Sequence, residues 1–118
     1  MYIPYNSGYE YHKSIFGAIE TGQSVEFRIV LPREFCCHHA RLVIKKDTES
    51  FENFIGMQWD CMQGEHEEWW KVSFCPEESG LYEYRFEYDT RWGTSRIFNY
   101  GNGVGKIRED GALWQLTV

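Results

Sequence analysis

The sequence has few basic residues and no long apolar run. Its 118 residues include 12 Lys and Arg against 18 Asp and Glu, which gives a net charge of −6. Nucleic acids and anionic membranes attract basic surfaces, so this composition argues against both. No segment approaches the roughly 20 apolar residues that a transmembrane helix needs. We therefore expect no nucleic acid partner and no membrane partner.

The start of the chain lacks the pattern of a secretory signal, and the cysteines lack the pattern of a disulfide framework. A signal peptide has a basic region followed by an apolar one, and MYIPYNSGYEYHK does not show this order. Four cysteines are present, and Cys36 and Cys37 are adjacent, which does not indicate a disulfide framework. We expect reduced thiols and a cytoplasmic protein.

The sequence also lacks the common catalytic and cofactor motifs. It has no Gly-x-Ser-x-Gly elbow and no Asp-x-Asp-x-Asp-Gly calcium loop. Gly101, Gly103 and Gly105 do not have the spacing of a dinucleotide-binding loop, and we expect a mobile hairpin loop there. The acidic clusters at residues 65–68 and 77–78 lie in polar, turn-like segments and are interpreted as solvated charge. We expect no catalytic residues and no cofactor in this chain.

One run of metal-ligand residue types is present, formed by Cys36, Cys37, His38 and His39. Structural zinc sites space their ligands, typically as Cys-x₂₋₄-Cys with a second pair downstream. In an extended chain, neighbours point to opposite sides, so Cys36 and His38 would share one face and Cys37 and His39 the other. We therefore predict a polar loop with one or two buried cysteines and no metal site.

Aromatic residues, in contrast, are abundant at 18%, and apolar residues alternate with polar ones in short runs. A period of two is typical of half-buried antiparallel strands. The segments between the runs are rich in Gly, Pro, Asp, Asn and Ser, which accept turn geometry. No window shows helical periodicity. The alternating runs are residues 24–32, 40–47, 54–62, 68–76, 80–89, 95–101 and 112–118.

This spacing predicts one all-β domain over residues 1–118. The expected architecture is an immunoglobulin-like antiparallel β-sandwich of about seven to eight strands, and a small barrel is the alternative. The apolar run ALWQLTV ends the chain abruptly, so we expect one domain of a longer polypeptide. The residues assigned to the core are Trp59, Trp70, Tyr82, Tyr84 and Phe86.

A set of short motifs occurs in a fixed order along nearly the whole chain. They are YNS, YHKS, FGA, the Thr21-Gly22 turn into VEFR, EEWWKVSF, GLYEYRFEYDT, NYGNGVG and WQLTV. Together they resemble the N-terminal domain of α-amylase-type enzymes of glycoside hydrolase family 13. Within that family the resemblance is to the neopullulanase, cyclomaltodextrinase and maltodextrin-degrading group.

The resemblance implies an immunoglobulin-like accessory domain of the carbohydrate-binding-module kind. It implies α-glucan, such as starch or maltodextrin, as the ligand and a catalytic (β/α)8 barrel downstream as the domain's own partner. It also implies a homodimer in some members. The catalytic carboxylates of the family lie in the barrel, outside this sequence. A purely structural or dimerisation domain with no sugar affinity is the alternative function.

Outward-facing aromatic residues are the candidates for sugar binding. Aromatic faces stack on the apolar faces of sugar rings, and polar neighbours bind the hydroxyls. Trp69 is out of phase with the apolar positions of its strand and should face outward. Trp92 lies in a turn beside Arg91, and Tyr100 and Asn102 belong to the Gly-rich loop. The same side chains could instead pack on a catalytic barrel.

Overall fold

Two antiparallel β-sheets face each other in the computed structural model, which describes residues 2–118. The all-β sandwich is confirmed, although it has nine strands. The one helix among these residues is a 3-10 turn at Arg33–Phe35, and none is long and apolar enough to cross a membrane. The strands are β1 (Val25–Pro32), β2 (His39–Lys46), β3 (Asn53–Gly56), β4 (Gln58–Gln63), β5 (Glu67–Phe74), β6 (Leu81–Thr90), β7 (Gly93–Gly101), β8 (Val104–Ile107) and β9 (Trp114–Thr117).

The smaller sheet has three strands in the order β1-β5-β4, and the larger has six. In the larger sheet the order is β3-β2-β6-β7-β8, and β9 also pairs with β6. Strand β6 pairs along nearly its whole length with β2. On its other side, the first half of β6 pairs with β9 and the second half with β7. This arrangement places the start of β5 and the β6–β7 turn at the same end of the sandwich.

The core between the sheets is dominated by aromatic rings. Tyr5, Phe27, Tyr84, Phe86 and Trp114 are all buried in it. The ring centre of Tyr5 lies 4.6 Å from that of Phe86 and 4.8 Å from that of Trp114. The hydroxyls of Tyr5 and Tyr84 form a hydrogen bond of 2.8 Å, so neither buried polar group lacks a partner.

The predicted strand over residues 54–62 is broken into β3 and β4, which belong to different sheets. Met57 lies at the break, and its N–H donates to the carbonyl oxygen of Ala40 at 2.8 Å. Trp59 consequently lies on the edge strand β4 and is 49% exposed, so its assignment to the core was wrong. Its indole Nε1 donates to the carboxylate of Glu68 at 3.2 Å. The other core assignments are confirmed, namely Trp70, Tyr82, Tyr84 and Phe86.

The N-terminal segment, residues 2–14, closes one side of the sandwich. It runs along the free edge of β1, where the N–H groups of Arg28 and Val30 donate to the carbonyls of His12 and Pro4. The same segment reaches β8, where the Gly105 N–H donates to the Tyr5 carbonyl at 2.7 Å. It therefore joins the edges of the two sheets and satisfies backbone groups that would otherwise be unpaired.

The Gly-rich segment forms a hairpin, as predicted, but it also contains a strand that the pattern did not predict. Asn102 and Gly103 turn the chain between β7 and β8 with φ angles of 54° and 82°. Gly105 lies within β8, between Val104 and Lys106. Strand β8 was missed because it has only four residues, and one glycine and one lysine among them leave little apolar alternation.

Replacing Gly105 with alanine should lower the free energy of unfolding by about 1–2 kcal/mol, because neighbouring atoms leave no room for an added methyl group. A Cβ there would lie 3.0 Å from Ile97 Cγ2, 3.0 Å from the Tyr5 carbonyl oxygen and 3.1 Å from the Trp114 ring. The matched control is Gly56→Ala in β3, where a Cβ would meet nothing within 4 Å. Urea unfolding compares the two, and equal stability of both variants would contradict the prediction.

Candidate functional site

The structure places the predicted site residues at separate locations. Trp92 and Arg91 form the turn between β6 and β7; Trp92 is 72% exposed, and the guanidinium carbon of Arg91 lies 4.3 Å from its ring centre. Tyr100 and Asn102 lie at the other end of β7, roughly 25 Å from Trp92 at about 3.3 Å per residue. Trp69 belongs to the smaller sheet. The predicted residues therefore cannot all contact one sugar ring.

Tyr100 is exposed, and two cations cover its ring. Lys106 Nζ lies 4.1 Å from the ring centre, and the guanidinium carbon of Arg108 lies 5.1 Å from it. Asn102 occupies the left-handed turn position beside it. This arrangement occupies the aromatic face that a sugar would need, so Tyr100 and Asn102 are weaker candidates than the sequence indicated.

Trp69 points away from the core, as its phase predicted, but it is only 5% exposed. It lies opposite Val30 on the outer face of the smaller sheet. The N-terminal segment covers it, with the ring centres of Tyr11 and His12 at 4.6 Å and 5.1 Å. Its indole Nε1 donates to Gln63 Oε1 at 2.6 Å. The outward direction of Trp69 was predicted correctly, but its cover was not, because the covering segment has no strand periodicity.

An open cleft of about 520 Å³ lies where the N-terminal segment passes Trp69. Its aromatic walls include Tyr9 and Tyr11, which are 58% and 49% exposed, together with Trp69. Gln63 and Glu67 add hydrogen-bonding groups. The volume lies within the range of about 300–1,000 Å³ found for small-ligand sites, which combine apolar walls with a few polar groups. We call it the tyrosine cleft.

His12 is the most enclosed polar group of the tyrosine cleft, with 6% of its surface exposed. Its Nδ1 lies 3.0 Å from the carbonyl oxygen of Arg28, so Nδ1 carries the proton and donates. Burial lowers the pKa of His12 below its ordinary value, although the hydrogen bond to Arg28 opposes this. The neutral ring then has Nε2 as a hydrogen-bond acceptor.

The run of Cys36 to His39 forms a loop that leads into β2 at His39, as predicted, but its backbone is not extended throughout. Cys36 ends the 3-10 turn with a φ of 51°, so alternating faces do not describe this loop. Cys36 is exposed, whereas Cys37 is half-buried and its thiol lies 3.3 Å from the His39 carbonyl oxygen. Burial raises the pKa of Cys37 to about 12, so its thiol is protonated at neutral pH. Within residues 2–118, no three His, Cys, Asp or Glu side chains converge to hold a metal ion.

Comparison with known proteins gives a match in fold and none in sequence. No protein-family model matches the chain, and neither does any curated protein. A cyclomaltodextrinase matches with a TM-score of 0.65 and 11% identity, over 98% of this chain and 18% of that chain. This chain shares its fold with part of a cyclomaltodextrinase. The expected resemblance to that group is thus confirmed for the fold.

A second solved structure is also similar to this domain. It is the carbohydrate binding module of the muscle glycogen-targeting subunit of Protein Phosphatase-1, determined in solution. The match has a TM-score of 0.56 and 13% identity, over 77% of this chain and 72% of that chain. The β-sandwich described here is therefore similar both to part of a cyclomaltodextrinase and to a carbohydrate binding module of a glycogen-targeting subunit.

Proposed function

We propose that this chain is an accessory domain of an α-amylase-type glycoside hydrolase and that it binds α-glucan in the tyrosine cleft. The observation that carries the proposal is the exposed pair Tyr9 and Tyr11 beside Trp69. The fold similarity to a cyclomaltodextrinase and to a carbohydrate binding module supports it. In this proposal residues 1–118 form the N-terminal domain, and hydrolysis belongs to a (β/α)8 barrel that follows them.

The composition of the cleft favours an uncharged ligand with many hydroxyls. Among residues 2–118, no Lys or Arg lines it, although the guanidinium carbon of Arg28 lies 4.9 Å from the ring centre of Tyr11, where its charge is paired with two carboxylates. The ring of Tyr9 and the part of the Tyr11 ring that Arg28 leaves exposed offer stacking surfaces for the C–H faces of sugar rings. Glu67, Gln63 and the acceptor nitrogen of His12 are suited to accept hydrogen bonds from hydroxyls.

Replacing Tyr11 with alanine should weaken the binding of maltoheptaose about tenfold, which corresponds to about 1.4 kcal/mol. The substitution removes an aromatic face from the cleft, and contacts of this kind contribute about 0.5–1.5 kcal/mol beyond area burial. Isothermal titration calorimetry on the wild type and the variant measures the change. Because Tyr11 is half-exposed, the fold should persist, and circular dichroism checks this.

The matched control for this prediction is Tyr11→Phe, which keeps the ring and removes only the hydroxyl. It should retain most of the affinity. If the wild-type chain does not bind maltoheptaose at millimolar concentration, the sugar-binding proposal is wrong. If Tyr11→Ala binds as well as the wild type, the ligand lies elsewhere on the domain.

A structural or dimerisation domain is the second candidate, and exposed aromatic residues on the edge strands favour it. Phe51, Phe54 and Trp59 are 58%, 60% and 49% exposed along the segment that includes β3 and β4. Exposed strand edges and aromatic surfaces are typical of protein interfaces. The partner would be the catalytic barrel or a second copy of the chain. A domain with this role alone would leave maltoheptaose unbound.

A further inference from the structure

The tyrosine cleft borders a second cleft, which in turn borders a third. The second cleft, of about 790 Å³, shares Tyr2 and Glu67 with the tyrosine cleft. The third, of about 240 Å³, shares Glu34 and Phe35 with the second and ends at Trp92. The three clefts therefore lie next to one another in a row, which we call the end groove.

The strand ends explain why these clefts meet. Strand β1 ends at Pro32, β5 begins at Glu67 and β6 ends at Thr90, all at one end of the sandwich. The loops there are held together by backbone hydrogen bonds, because the Arg33 N–H donates to the His66 carbonyl oxygen at 2.8 Å. The groove thus crosses the end of the sandwich, from the outer face of the smaller sheet to the β6–β7 turn of the larger one.

We propose that the end groove binds one linear α-glucan of several sugar units, with Tyr11 at one end and Trp92 as an outer subsite. This inference rests on the proposed function. The two sheets of a sandwich are about 10 Å apart, so a ligand must bridge at least that separation to reach both aromatic ends. A single sugar ring occupies one cleft, whereas a chain of linked rings contacts both ends.

Packed aromatic side chains form the wall of the cleft that Trp92 also lines. The Phe35 ring lies parallel to that of Tyr88, with an interplanar angle of 5° and ring centres 5.9 Å apart. The guanidinium of Arg91 lies against the Trp92 ring, while the indole remains 72% exposed. The subsite therefore offers an exposed aromatic surface beside a packed wall, in which Thr90 and Ser95 provide hydroxyls.

The charge of the end groove also fits a neutral polyhydroxylated chain. The second cleft, in the middle of the groove, is lined by the three carboxylates of Glu34, Glu65 and Glu67. Its basic groups are one guanidinium, from Arg33, and the imidazole of His66. Carboxylates accept hydrogen bonds from hydroxyls and repel anionic polymers. The hydroxyls of a glucan can donate hydrogen bonds to these carboxylates, and the glucan itself carries no charge.

The test is to titrate the full chain with maltose and with maltoheptaose, as wild type and as Trp92→Ala. Wild type should bind maltoheptaose about tenfold more tightly than maltose, because the longer chain reaches both ends. Trp92→Ala should lower maltoheptaose affinity about fivefold or more and leave maltose affinity unchanged. The matched control is Tyr100→Ala, which removes another exposed aromatic ring at the far end of β7 and should change neither affinity.

The possible results separate this inference from the proposed function. If maltoheptaose binds and Trp92→Ala binds it equally well, the end groove is not used, while sugar binding by the tyrosine cleft stands. If Trp92→Ala weakens maltose and maltoheptaose alike, Trp92 belongs to the main site, and the outer subsite is wrong. If neither sugar binds to wild type, both proposals fail.

Discussion

Replacing Trp114 with alanine should lower the free energy of unfolding by about 3–5 kcal/mol, a large part of the stability of an ordinary domain. Trp114 is 3% exposed, and its ring centre lies 4.8 Å from that of Tyr5 and 5.7 Å from that of Tyr84. Its indole Nε1 donates to the Gly103 carbonyl oxygen at 3.0 Å. Truncation would leave a cavity among these rings and remove the only indole hydrogen bond to the β7–β8 turn within residues 2–118.

The same substitution at Trp92 is a matched control for Trp114→Ala. Trp92 is 72% exposed, so its loss should change the free energy of unfolding by no more than about 0.5 kcal/mol. Urea unfolding followed by far-ultraviolet circular dichroism compares the two variants without relying on tryptophan emission. Similar midpoints for Trp114→Ala and Trp92→Ala would contradict the aromatic core described above.

Replacing Glu87 with glutamine should lower the free energy of unfolding by about 2–3 kcal/mol at neutral pH. Glu87 is 4% exposed on the outer face of the larger sheet. Its carboxylate lies 3.0 Å from the guanidinium of Arg41, 2.8 Å from that of Arg85 and 3.3 Å from that of Arg96. A neutral amide there accepts fewer hydrogen bonds and leaves closely spaced guanidinium groups without their central counter-ion.

The same carboxylate should make stability depend on acid pH. Burial raises the pKa of Glu87, but hydrogen bonds from Arg85 and Arg41 outweigh burial and hold this pKa below its ordinary value of 4.5. Because the folded-state pKa is the lower one, the contribution is complete above pH 4.5 and is lost as the pH falls through the folded value. Wild type should therefore lose stability on acidification more steeply than Glu87→Gln does.

Glu83→Gln is the control for both effects at Glu87. Glu83 lies on the same strand and the same outer face, and no ion pair involves it within the part of the chain that the structure describes. This variant should keep the stability of wild type and its dependence on acid pH. Urea unfolding between pH 3 and pH 7 gives the free energy of unfolding of wild type, Glu87→Gln and Glu83→Gln. Differences of roughly 1 kcal/mol are large enough to be measured in this way. Parallel curves for wild type and Glu87→Gln would show that the carboxylate has no special role.

The long strands could be predicted from the sequence because alternation reports which face is buried. In β1, the buried inner residues Val25, Phe27 and Ile29 alternate with more exposed Glu26 and Arg28. Alternation carries no information about which sheet a strand joins, so the break at Met57 was not predicted. The core residue Tyr5 was also missed. It lies in a segment whose conformation is set by hydrogen bonds to two distant strand edges and not by local periodicity.

The candidate site was only partly predictable, because some of its residues lie in a segment without strand periodicity. The turn composition around Trp92 indicated an exposed aromatic residue, and the structure places it there. The tyrosine cleft was missed because Tyr9 and Tyr11 lie outside any strand, and Trp69 lies beneath them. The density of tyrosine in the first residues of the chain was the one available signal. Contacts between this segment and β5 depend on the assembled fold, which a pattern along the chain does not describe.

The way the N-terminal segment joins β8 and β9 also constrains how the chain can fold during synthesis. The carbonyl oxygen of Tyr5 accepts a hydrogen bond from the N–H of Gly105, and the Tyr5 ring packs against the ring of Trp114. Both partners are synthesised about 100 residues after Tyr5. At about 5–20 residues per second, a ribosome needs roughly ten seconds to make these partners. Until then the apolar face of β1 and the Tyr5 ring lack much of their final cover. The nascent chain therefore keeps part of its core surface uncovered until its last strand has been made.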